Sequence, residues 1–171
     1  MRSRRLVRFT RPFEQGSVNG YVLDVGPQLF LLALVGDHIR FNGFQAFRVR
    51  DVRGLRENPF AAFVESALTK RRERRPRKPR VSVRSLSELL LSAGRAFPLV
   101  TIHREEVDAD VCQIGRIVAV ANGRASMLEI GPDATWDDGP TEYSLKEITR
   151  VDFGGDYEDA LYIVGGDPST G

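Results

Sequence analysis

Cysteine is nearly missing from this chain, because Cys112 is the single cysteine among 171 residues. One cysteine cannot form a disulfide within the chain, and it has no second thiol with which to bind zinc. The sequence therefore excludes a disulfide-stapled secreted scaffold and a cysteine-based zinc site. A lone cysteine commonly acts as a small apolar side chain, and we expect this of Cys112.

Long apolar runs are missing as well. No stretch approaches the roughly 18 apolar residues that a membrane-spanning helix needs. The basic N-terminal residues 1–12 are not followed by the apolar segment of a signal peptide. With 42% hydrophobic and 28% charged residues, the composition is typical of a globular protein with a core. We therefore expect a cytoplasmic protein.

Catalytic motifs are also lacking, since the chain has no glycine-rich phosphate loop, nucleophile elbow or paired metal motif. His103 precedes an acidic run whose oxygens could bind a hard cation, but no second cluster at ligand spacing accompanies it. A solvated acidic loop is the better interpretation, and His38 fits an ordinary surface histidine. We predict a protein that is not an enzyme and has no cofactor or metal. The acidic run consists of Glu105, Glu106, Asp108 and Asp110.

Charge is present in quantity but unevenly distributed. Residues 1–104 contain 21 basic and 8 acidic side chains, whereas residues 105–171 contain 4 basic and 15 acidic ones. The first part therefore carries a net charge of +13 and the second part −11. This asymmetry suits a polyanion that binds the first part. It equally suits attraction between the two parts, within one chain or between chains.

Short β-strands are predicted in the first third of the chain. Apolar runs are bounded by turn residues, and the Gly26-Pro27 and Asn42-Gly43 pairs predict tight turns. Alternation of apolar and charged residues breaks phase near Asp51, which predicts a bend in the last strand. The expected strands cover residues 6–10, 20–25, 29–35, 39–41 and 46–55.

Two helices and a basic run are predicted in the middle of the chain. Helical spacing of apolar residues predicts an amphipathic helix over 59–73, and a capping box at Ser85 predicts a short helix that ends at Gly94. Between them, two prolines predict an extended, solvated linker with a large positive field. Its eight cations are Lys70, Arg71, Arg72, Arg74, Arg75, Arg77, Lys78 and Arg80.

The second part of the chain repeats the plan of the first. Residues 115–120 match residues 20–25, and residues 143–151 match residues 47–55. The Asn122-Gly123 pair predicts the hairpin turn of the second copy. The offset between the two copies is one residue larger in the second match than in the first, so one residue is inserted between them, and we expect it in a loop. Residues 157–164 fit either a closing helix or a last strand.

This duplicated pattern resembles the Sm-like fold, a small bent sheet of the SH3-like barrel kind. The resemblance is carried by Gly20 with residues 29–34 and by Gly115 with residues 127–130, which stand like the first Sm segment. It is also carried by residues 49–55 and 145–151, which stand like the second segment. The run 136–155 looks like bacterial proteins of this general type.

The resemblance implies RNA binding or ring assembly. The base-binding loop of the family carries an aspartate and an asparagine, whereas the corresponding turn here, residues 25–28, has neither. In the second copy, only Asn122 could act as the base-binding residue of that loop. Arg53-Gly54 looks like the second family signature, but it aligns with Thr149-Arg150 inside a predicted strand.

The sequence as a whole predicts a mainly β protein with an α insert, built from two tandem Sm-like or SH3-like small barrels. The first barrel is expected over 1–56, the helical and basic insert over 57–98, the second barrel over 99–164 and a loose tail over 165–171. We predict a non-catalytic protein that binds RNA or another polyanion through the eight cations above.

The alternative is a protein-interaction module that pairs with itself through open strand edges or opposite charges. An equally plain explanation of the basic run is a solvated linker paired with the acidic half of the same chain. Two aromatic side chains, Trp136 and Tyr143, are candidate interface residues. Beside a turn, Trp136 also fits a lid on its own small core.

Overall fold

The structure, a computed structural model, describes residues 5–170. The first residues of the predicted basic N-terminus, 1–4, and the last residue of the predicted tail, 171, lie outside the described residues. Ten strands form one antiparallel sheet that does not close, and three helices accompany it. The expectation of a mainly β fold with helices is confirmed.

The bounds of the elements follow the chain. The strands are β1 (Val7–Thr10), β2 (Val18–Val25), β3 (Leu29–Val35), β4 (Phe41–Arg48), β5 (Arg53–Glu57), β6 (Val100–His103), β7 (Cys112–Ala121), β8 (Arg124–Glu129), β9 (Thr141–Ser144) and β10 (Arg150–Phe153). The helices are α1 (Ala61–Lys70), α2 (Leu86–Ala96) and α3 (Asp156–Gly165).

The sheet has the strand order β5-β1-β2-β3-β4-β10-β6-β7-β8-β9. The first five strands and the last five strands follow the same order, so the sheet consists of two equivalent half-sheets. They meet where β4 pairs antiparallel with β10. Because that pairing is a regular ladder of four residue pairs, one continuous sheet runs through both copies of the repeat.

Two of the three predicted hairpin turns are confirmed, and the first of them, at Gly26-Pro27, joins β2 to β3. Asn122 and Gly123 both have positive φ, as a two-residue turn requires, and they join β7 to β8. The turn predicted at Asn42-Gly43 is wrong, because both residues lie within β4. The chain turns earlier, between Gly36 and Arg40, whose backbone groups hydrogen-bond at 2.9 Å.

Each half-sheet bends at a short 3₁₀ turn before its last strand. The first 3₁₀ turn is Val49–Asp51, where the alternation breaks phase, and the second is Leu145–Glu147. Each 3₁₀ turn interrupts a segment that the sequence pattern predicts to be one strand. As a result, β5 and β10 leave their preceding strands β4 and β9 and pair instead with β1 and β6.

Polar side chains accept backbone amides at the starts of α1 and α2. Asn58 Oδ1 accepts the amide of Phe60 just before α1, and Ser85 Oγ accepts the amide of Glu88 at 3.1 Å, which confirms the predicted cap of α2. The predicted end at Gly94 is wrong, since α2 continues to Ala96 and packs Gly94 closely against Ile117. Residues 156–165 form a helix, which settles the choice left open by the sequence.

The core lies between the sheet and the helices and crosses the junction of the half-sheets. Leu89 and Leu90 of α2 pack in one cluster with Val151 and Phe153 of β10 and with Leu31 of β3. A second, aromatic cluster lies within the first half-sheet. Its rings, from Phe9, Phe30 and Phe47, have centroids 5.3 to 5.5 Å apart.

Candidate nucleic-acid interface

The predicted basic linker is an ordered segment that runs alongside β2. Residues 71–84, called the strap from here on, contain neither helix nor strand. Pro76 and Pro79 keep the backbone extended because proline fixes φ and disfavours helix in the residue before it. The strap follows directly on α1. Its second residue, Arg72, has a left-handed backbone conformation with φ of 58°, which turns the chain away from the helix.

Three of the strap's cations attach it to the first half-sheet. The Arg71 guanidinium donates to the carbonyl oxygens of His38 and Ile39. The Arg75 guanidinium lies 4.0 Å from the ring centroid of Tyr21, a cation–π contact. The Lys78 ammonium forms an ion pair with Asp24. These partners all belong to the basic half of the chain.

The strap's far end is fixed by apolar burial. Val81 and Val83 are buried in the main core, and the backbone of Val83 approaches Gly26 so closely that a Cβ there would lie 1.9 Å from the Val83 carbonyl oxygen. Glycine is therefore required at the turn between β2 and β3. The close approach holds the strap beside that turn.

Two open cavities adjoin at this turn and share Pro27. The first has a volume of about 610 Å³ and lies between the turn and the strap, with Lys78, Arg80 and Arg84 in its lining. The second has a volume of about 690 Å³ and lies between the turn, the two 3₁₀ turns and the start of α2. We call the two cavities together the groove.

The groove combines cations with an apolar floor. Leu29, Leu86, Leu145 and Ile148 line the second cavity, and its cations come from both 3₁₀ turns and the end of β4. Among residues 5–170, the side chains of Arg80, Arg84 and Lys146 form no ion pair. An anion would therefore find unneutralised donors on two separate segments, the strap and the second 3₁₀ turn. The cations of the second cavity are Arg48, Arg50 and Lys146.

The eight cations predicted from the sequence divide into two groups. Arg71, Arg75 and Lys78 hold the strap in place, as described above. The remaining five are exposed, as are Arg71 and Arg75, and of these five only Arg80 lines the groove, beside Lys78. The five are Lys70, Arg72, Arg74, Arg77 and Arg80.

Four cations of the groove were not among those predicted from the sequence, namely Arg48, Arg50, Arg84 and Lys146. A signal for two of them was present. Arg50 and Lys146 occupy equivalent positions of the two copies, two residues before the aligned pair Val52 and Ile148. A basic residue repeated at the same position of both 3₁₀ turns could have been identified from the internal alignment alone.

The candidate interface aromatics lie elsewhere. Trp136 is half-buried against a small apolar cluster, and its indole Nε1 donates to the Gly166 carbonyl at 3.1 Å. That cluster consists of Leu99, Ile114, Ile130 and Leu161. Tyr143 lies on the edge strand β9, donates to the Glu129 carboxylate at 2.6 Å and receives the Arg104 guanidinium on its ring. Burial, together with the carboxylate of Glu129, raises the pKa of Tyr143.

The predicted acidic loop is partly buried in an ionic cluster at the junction of the half-sheets. Both Glu105 oxygens accept from Arg11, at 2.7 and 3.0 Å, and Arg150 lies 3.6 Å away. Burial by itself raises the pKa of Glu105, but the hydrogen bonds from Arg11 and Thr149 outweigh it and hold that pKa below the usual value. Within the chain, the two oppositely charged parts thus attract each other here.

Another titratable cluster lies where α3 covers the sheet. The His103 ring Nε2 lies 2.9 Å from both Asp152 Oδ2 and an Arg150 guanidinium nitrogen. Burial raises the pKa of Glu158 on α3, and the backbone hydrogen bond of its helix position only partly offsets this. Burial raises the pKa of nearby Asp152, but His103 and Arg150 outweigh it and lower that pKa. The negative charge of Asp152 in turn repels a charge on Glu158.

We predict that Glu158→Gln stabilises the protein at neutral pH. A raised folded-state pKa means that the folded state prefers the protonated acid, so ionisation destabilises the fold as the pH rises. The variant should have a higher free energy of unfolding than the parent at pH 7 and an equal one near pH 4, measured by urea denaturation. Asp159→Asn, at the exposed neighbour, is the control and should give no gain. A loss of stability at pH 7 in Glu158→Gln would contradict this assignment.

Other features of the described chain bear on the class of site. Across residues 5–170, no group of three or more histidine, cysteine or acidic side chains is arranged to hold a metal ion. No helix of the described chain is long and apolar enough to cross a membrane. Cys112 is exposed at the start of β7, so its expected role as an apolar filler is wrong.

Comparison of the chain with protein-family models, curated proteins and solved structures gave no match.

Proposed function

We propose that this chain is a non-catalytic protein that binds single-stranded RNA along the groove. The observation that supports it best is that two adjoining cavities are lined by cations from three separate segments of the chain. Single-stranded nucleic acid needs such a positively charged channel along which its phosphates can lie. The apolar floor of the second cavity offers a surface to a base that is turned away from the backbone.

The proposal includes the fold of each half. We propose that each half-sheet is an Sm-like or SH3-like small barrel that is bent at its 3₁₀ turn, and that the two barrels stand in tandem. The repeated strand order and the equivalent positions of the two 3₁₀ turns support this. The groove then lies where the turn between β2 and β3 of one barrel faces the 3₁₀ turns of both.

The strap makes a cationic groove compatible with a stable fold. Its three attached cations are neutralised or held by Tyr21, Asp24 and backbone carbonyls, so they add little to the positive field. The cations that remain free lie on a backbone fixed by Val81 and Val83. A ligand therefore meets side chains whose backbone is already ordered, which reduces the entropy lost on binding.

We predict that removing three groove cations weakens RNA binding far more than removing three others. Arg80→Ser, Arg84→Ser and Lys146→Ser are combined in one variant, and Lys70→Ser, Arg74→Ser and Arg95→Ser in a control of the same net charge. Each phosphate contact on a single strand contributes about 0.7 to the slope of log K against log salt. The groove variant should therefore lose about 2 from that slope.

The measurement is fluorescence anisotropy with a labelled, unstructured 20-nucleotide RNA at several salt concentrations. Under the proposal the control keeps most of the parent's slope and affinity. Equal losses in the two variants would mean that binding depends only on net charge, and the groove proposal would then be wrong. Competition with single-stranded DNA and with heparin distinguishes RNA from other polyanions.

A second candidate function, self-association, is favoured by a different observation. Both outer edges of the sheet are unpaired strands, and unpaired strands are ready sites for the addition of another strand.

A further inference from the structure

Three large apolar side chains are exposed where β5 passes into α1. Leu55 on β5 is 57% exposed, and Phe60 and Phe63 at the start of α1 are 63% and 65% exposed. The helix is held against the sheet by Val64 and Leu68, which are buried in the main core, so its packing does not explain the exposed rings. We call Leu55, Phe60 and Phe63 the apolar corner. Large apolar side chains grouped on a surface mark a site of contact with a protein or a membrane.

Two arginines lie directly opposite each other on β1 and β5. The antiparallel pairing of these strands places Arg8 across from Arg56, and we call these two residues the arginine pair. The Arg8 guanidinium donates to the Ser17 hydroxyl at 2.7 Å, and within residues 5–170 neither arginine forms an ion pair. Like charges directly opposite in a sheet destabilise it. An anion bound between the two guanidinium groups would remove this repulsion.

The arginine pair lies on the side of the sheet that α1 covers. Arg8 lies opposite Asn19 of β2, whose side chain accepts a hydrogen bond of 2.7 Å from Asn58, just before α1. Tyr21 follows two positions after Asn19 and faces the same side, and it lies in the main core together with Leu68 of α1. The arginine pair is therefore close to the start of α1, where the exposed phenylalanines lie.

The surroundings of the apolar corner are positively charged. Residues 5–10 and 53–63 contain four arginines and one glutamate, a net charge of +3. The glutamate, Glu57, is already paired with Arg5 at 2.8 Å. The first turn of α1 contains no acidic side chain, so the partial positive charge of the helix N-terminus adds to the field.

The end of α3 also exposes apolar side chains, but in acidic surroundings. Ile163 and Val164 are 73% and 76% exposed. Their helix has three acidic residues in its first turn and no basic residue in its last turn. Of these two surfaces, the apolar corner is the one that combines exposed apolar side chains with positive charge, and the end of α3 provides a matched control.

We propose that the apolar corner and the arginine pair bind the surface of a membrane that contains anionic lipids. The arginine pair lies at the level of the lipid phosphate groups, and the two phenylalanines reach the boundary between headgroups and acyl chains. Basic and large apolar side chains together are typical of segments that lie on a membrane surface, and such attachment requires no spanning helix.

The position of the apolar corner favours a membrane over an acidic protein segment as its partner. The corner lies at the outer margin of the sheet, because β5 is the last strand in the strand order. A flat surface can therefore approach it without meeting the rest of the sheet. The corner and the arginine pair share no residue with the lining of the groove, so this proposal is independent of RNA binding.

The first test is sedimentation of the full chain with vesicles, in the absence of RNA. One set of vesicles is phosphatidylcholine alone, and the other is phosphatidylcholine with one-third phosphatidylglycerol. We expect binding to the second set at low salt, weakened as the salt is raised because ions screen the charges. An excess of glycerol 3-phosphate should not release the protein, which distinguishes a lipid surface from free phosphate.

Two double variants separate the apolar contribution from the charged one. Phe60→Ser with Phe63→Ser should weaken vesicle binding about tenfold or more, because two large apolar side chains no longer leave water. Arg8→Gln with Arg56→Gln should weaken it about fivefold for each arginine, the usual contribution of one cation near an anionic surface.

The control variant is Ile163→Ser with Val164→Ser, which removes two apolar side chains that are even more exposed. Its vesicle binding should equal that of the parent. A general effect of surface hydrophobicity would instead weaken this control as much as the phenylalanine variant, which would contradict the proposal.

The second test measures insertion at the apolar corner. In a Trp136→Phe background, which removes the single tryptophan, one preparation carries Phe63→Trp and another Ile163→Trp. With the anionic vesicles, the emission of Phe63→Trp should shift to shorter wavelength and be quenched by brominated lipids. The emission of Ile163→Trp should do neither.

Four results would overturn the proposal. They are absence of binding to anionic vesicles at low salt, binding that both double variants leave intact, equal quenching of the two tryptophan variants, and loss of RNA affinity in the phenylalanine variant. The first would leave an acidic protein segment as the partner, and the last would assign the corner to RNA. A circular dichroism melt identifies any variant that fails to fold, and the tryptophan variants, which keep a large apolar side chain, then decide. RNA binding of the parent is measured without vesicles, so failure of either proposal is visible by itself.

Discussion

Glu105→Ala is expected to lower the free energy of unfolding by about 3 kcal/mol, within the range for removing one partner of a buried ion pair. The side chain of Arg11 is fully buried, and Glu105 supplies two of its acceptors. Glu14 still accepts from Arg11 in the variant, which keeps the expected loss near the lower end of that range. Arg150 loses a neighbouring negative charge as well.

The pH dependence should change along with the stability. Because the pKa of Glu105 is lowered in the folded state, its contribution is present above the unfolded pKa, about 4.3, and is lost as the pH falls through the folded value. Parent and variant should therefore approach each other in acid.

Urea denaturation at pH 7 and pH 3 measures both effects of Glu105→Ala. Glu106→Ala is the matched control, since the side chain of Glu106 is 51% exposed and its partner Arg48 also binds Asp51. We expect the control to lose less than about 1 kcal/mol. An equally small loss in Glu105→Ala would show that the junction does not depend on this ion pair.

Gly26→Ala is expected to loosen the strap and to destabilise the fold by about 3 kcal/mol, the upper end of the range for overpacking. The new Cβ would lie 1.9 Å from the Val83 carbonyl oxygen and 2.8 Å from its carbon, so one backbone segment must move. The strap is the segment without ladder hydrogen bonds. Its displacement would also deform the first cavity of the groove.

Limited trypsin digestion measures the release of the strap, because its arginines become available to the protease when it detaches. Gly26→Ala should be cut within the strap faster than the parent, and its affinity for RNA should fall. Gly16→Ala is the matched control, since a Cβ at Gly16 meets nothing within 4 Å. Parent-like digestion of Gly26→Ala would contradict the role of this turn in holding the strap.

Local patterns predicted the elements whose cause is local. The Asn122-Gly123 turn and the Ser85 cap follow from the residues themselves and were predicted correctly. The Asn42-Gly43 turn was predicted wrongly because the sequence does not show that Gly43 serves a close backbone contact and not a turn. A Cβ at Gly43 would lie 2.5 Å from the backbone of Gly155, so that glycine permits the close contact at the junction.

Tertiary packing decided what the sequence left open. Gly94 continues α2 because its missing side chain lets the helix approach Ile117, a contact between residues distant in sequence. The basic run appeared to be a solvated linker because its charge pattern contains no sign of Tyr21 or Asp24, its partners on β2. The spacing of apolar residues also does not show that Arg11, from the basic part of the chain, and Glu105, from the acidic part, are buried together.

The candidate site was predicted only in part for the same reason. The run of cations was visible in the sequence, and Arg80 within it does line the groove. The other cations of the groove are isolated arginines and a lysine in segments that look unremarkable by themselves. Folding brings them together because both 3₁₀ turns lie at the same side of the junction, next to the start of α2.

A salt titration of the unmodified chain with an unstructured RNA tests whether the groove binds RNA at all. The six cations of the groove, at about 0.7 each, predict a slope of log K against log salt of about −4. The account predicts binding at low salt that weakens with this slope. Absence of binding at 50 mM salt, or an affinity that does not change with salt, would contradict it.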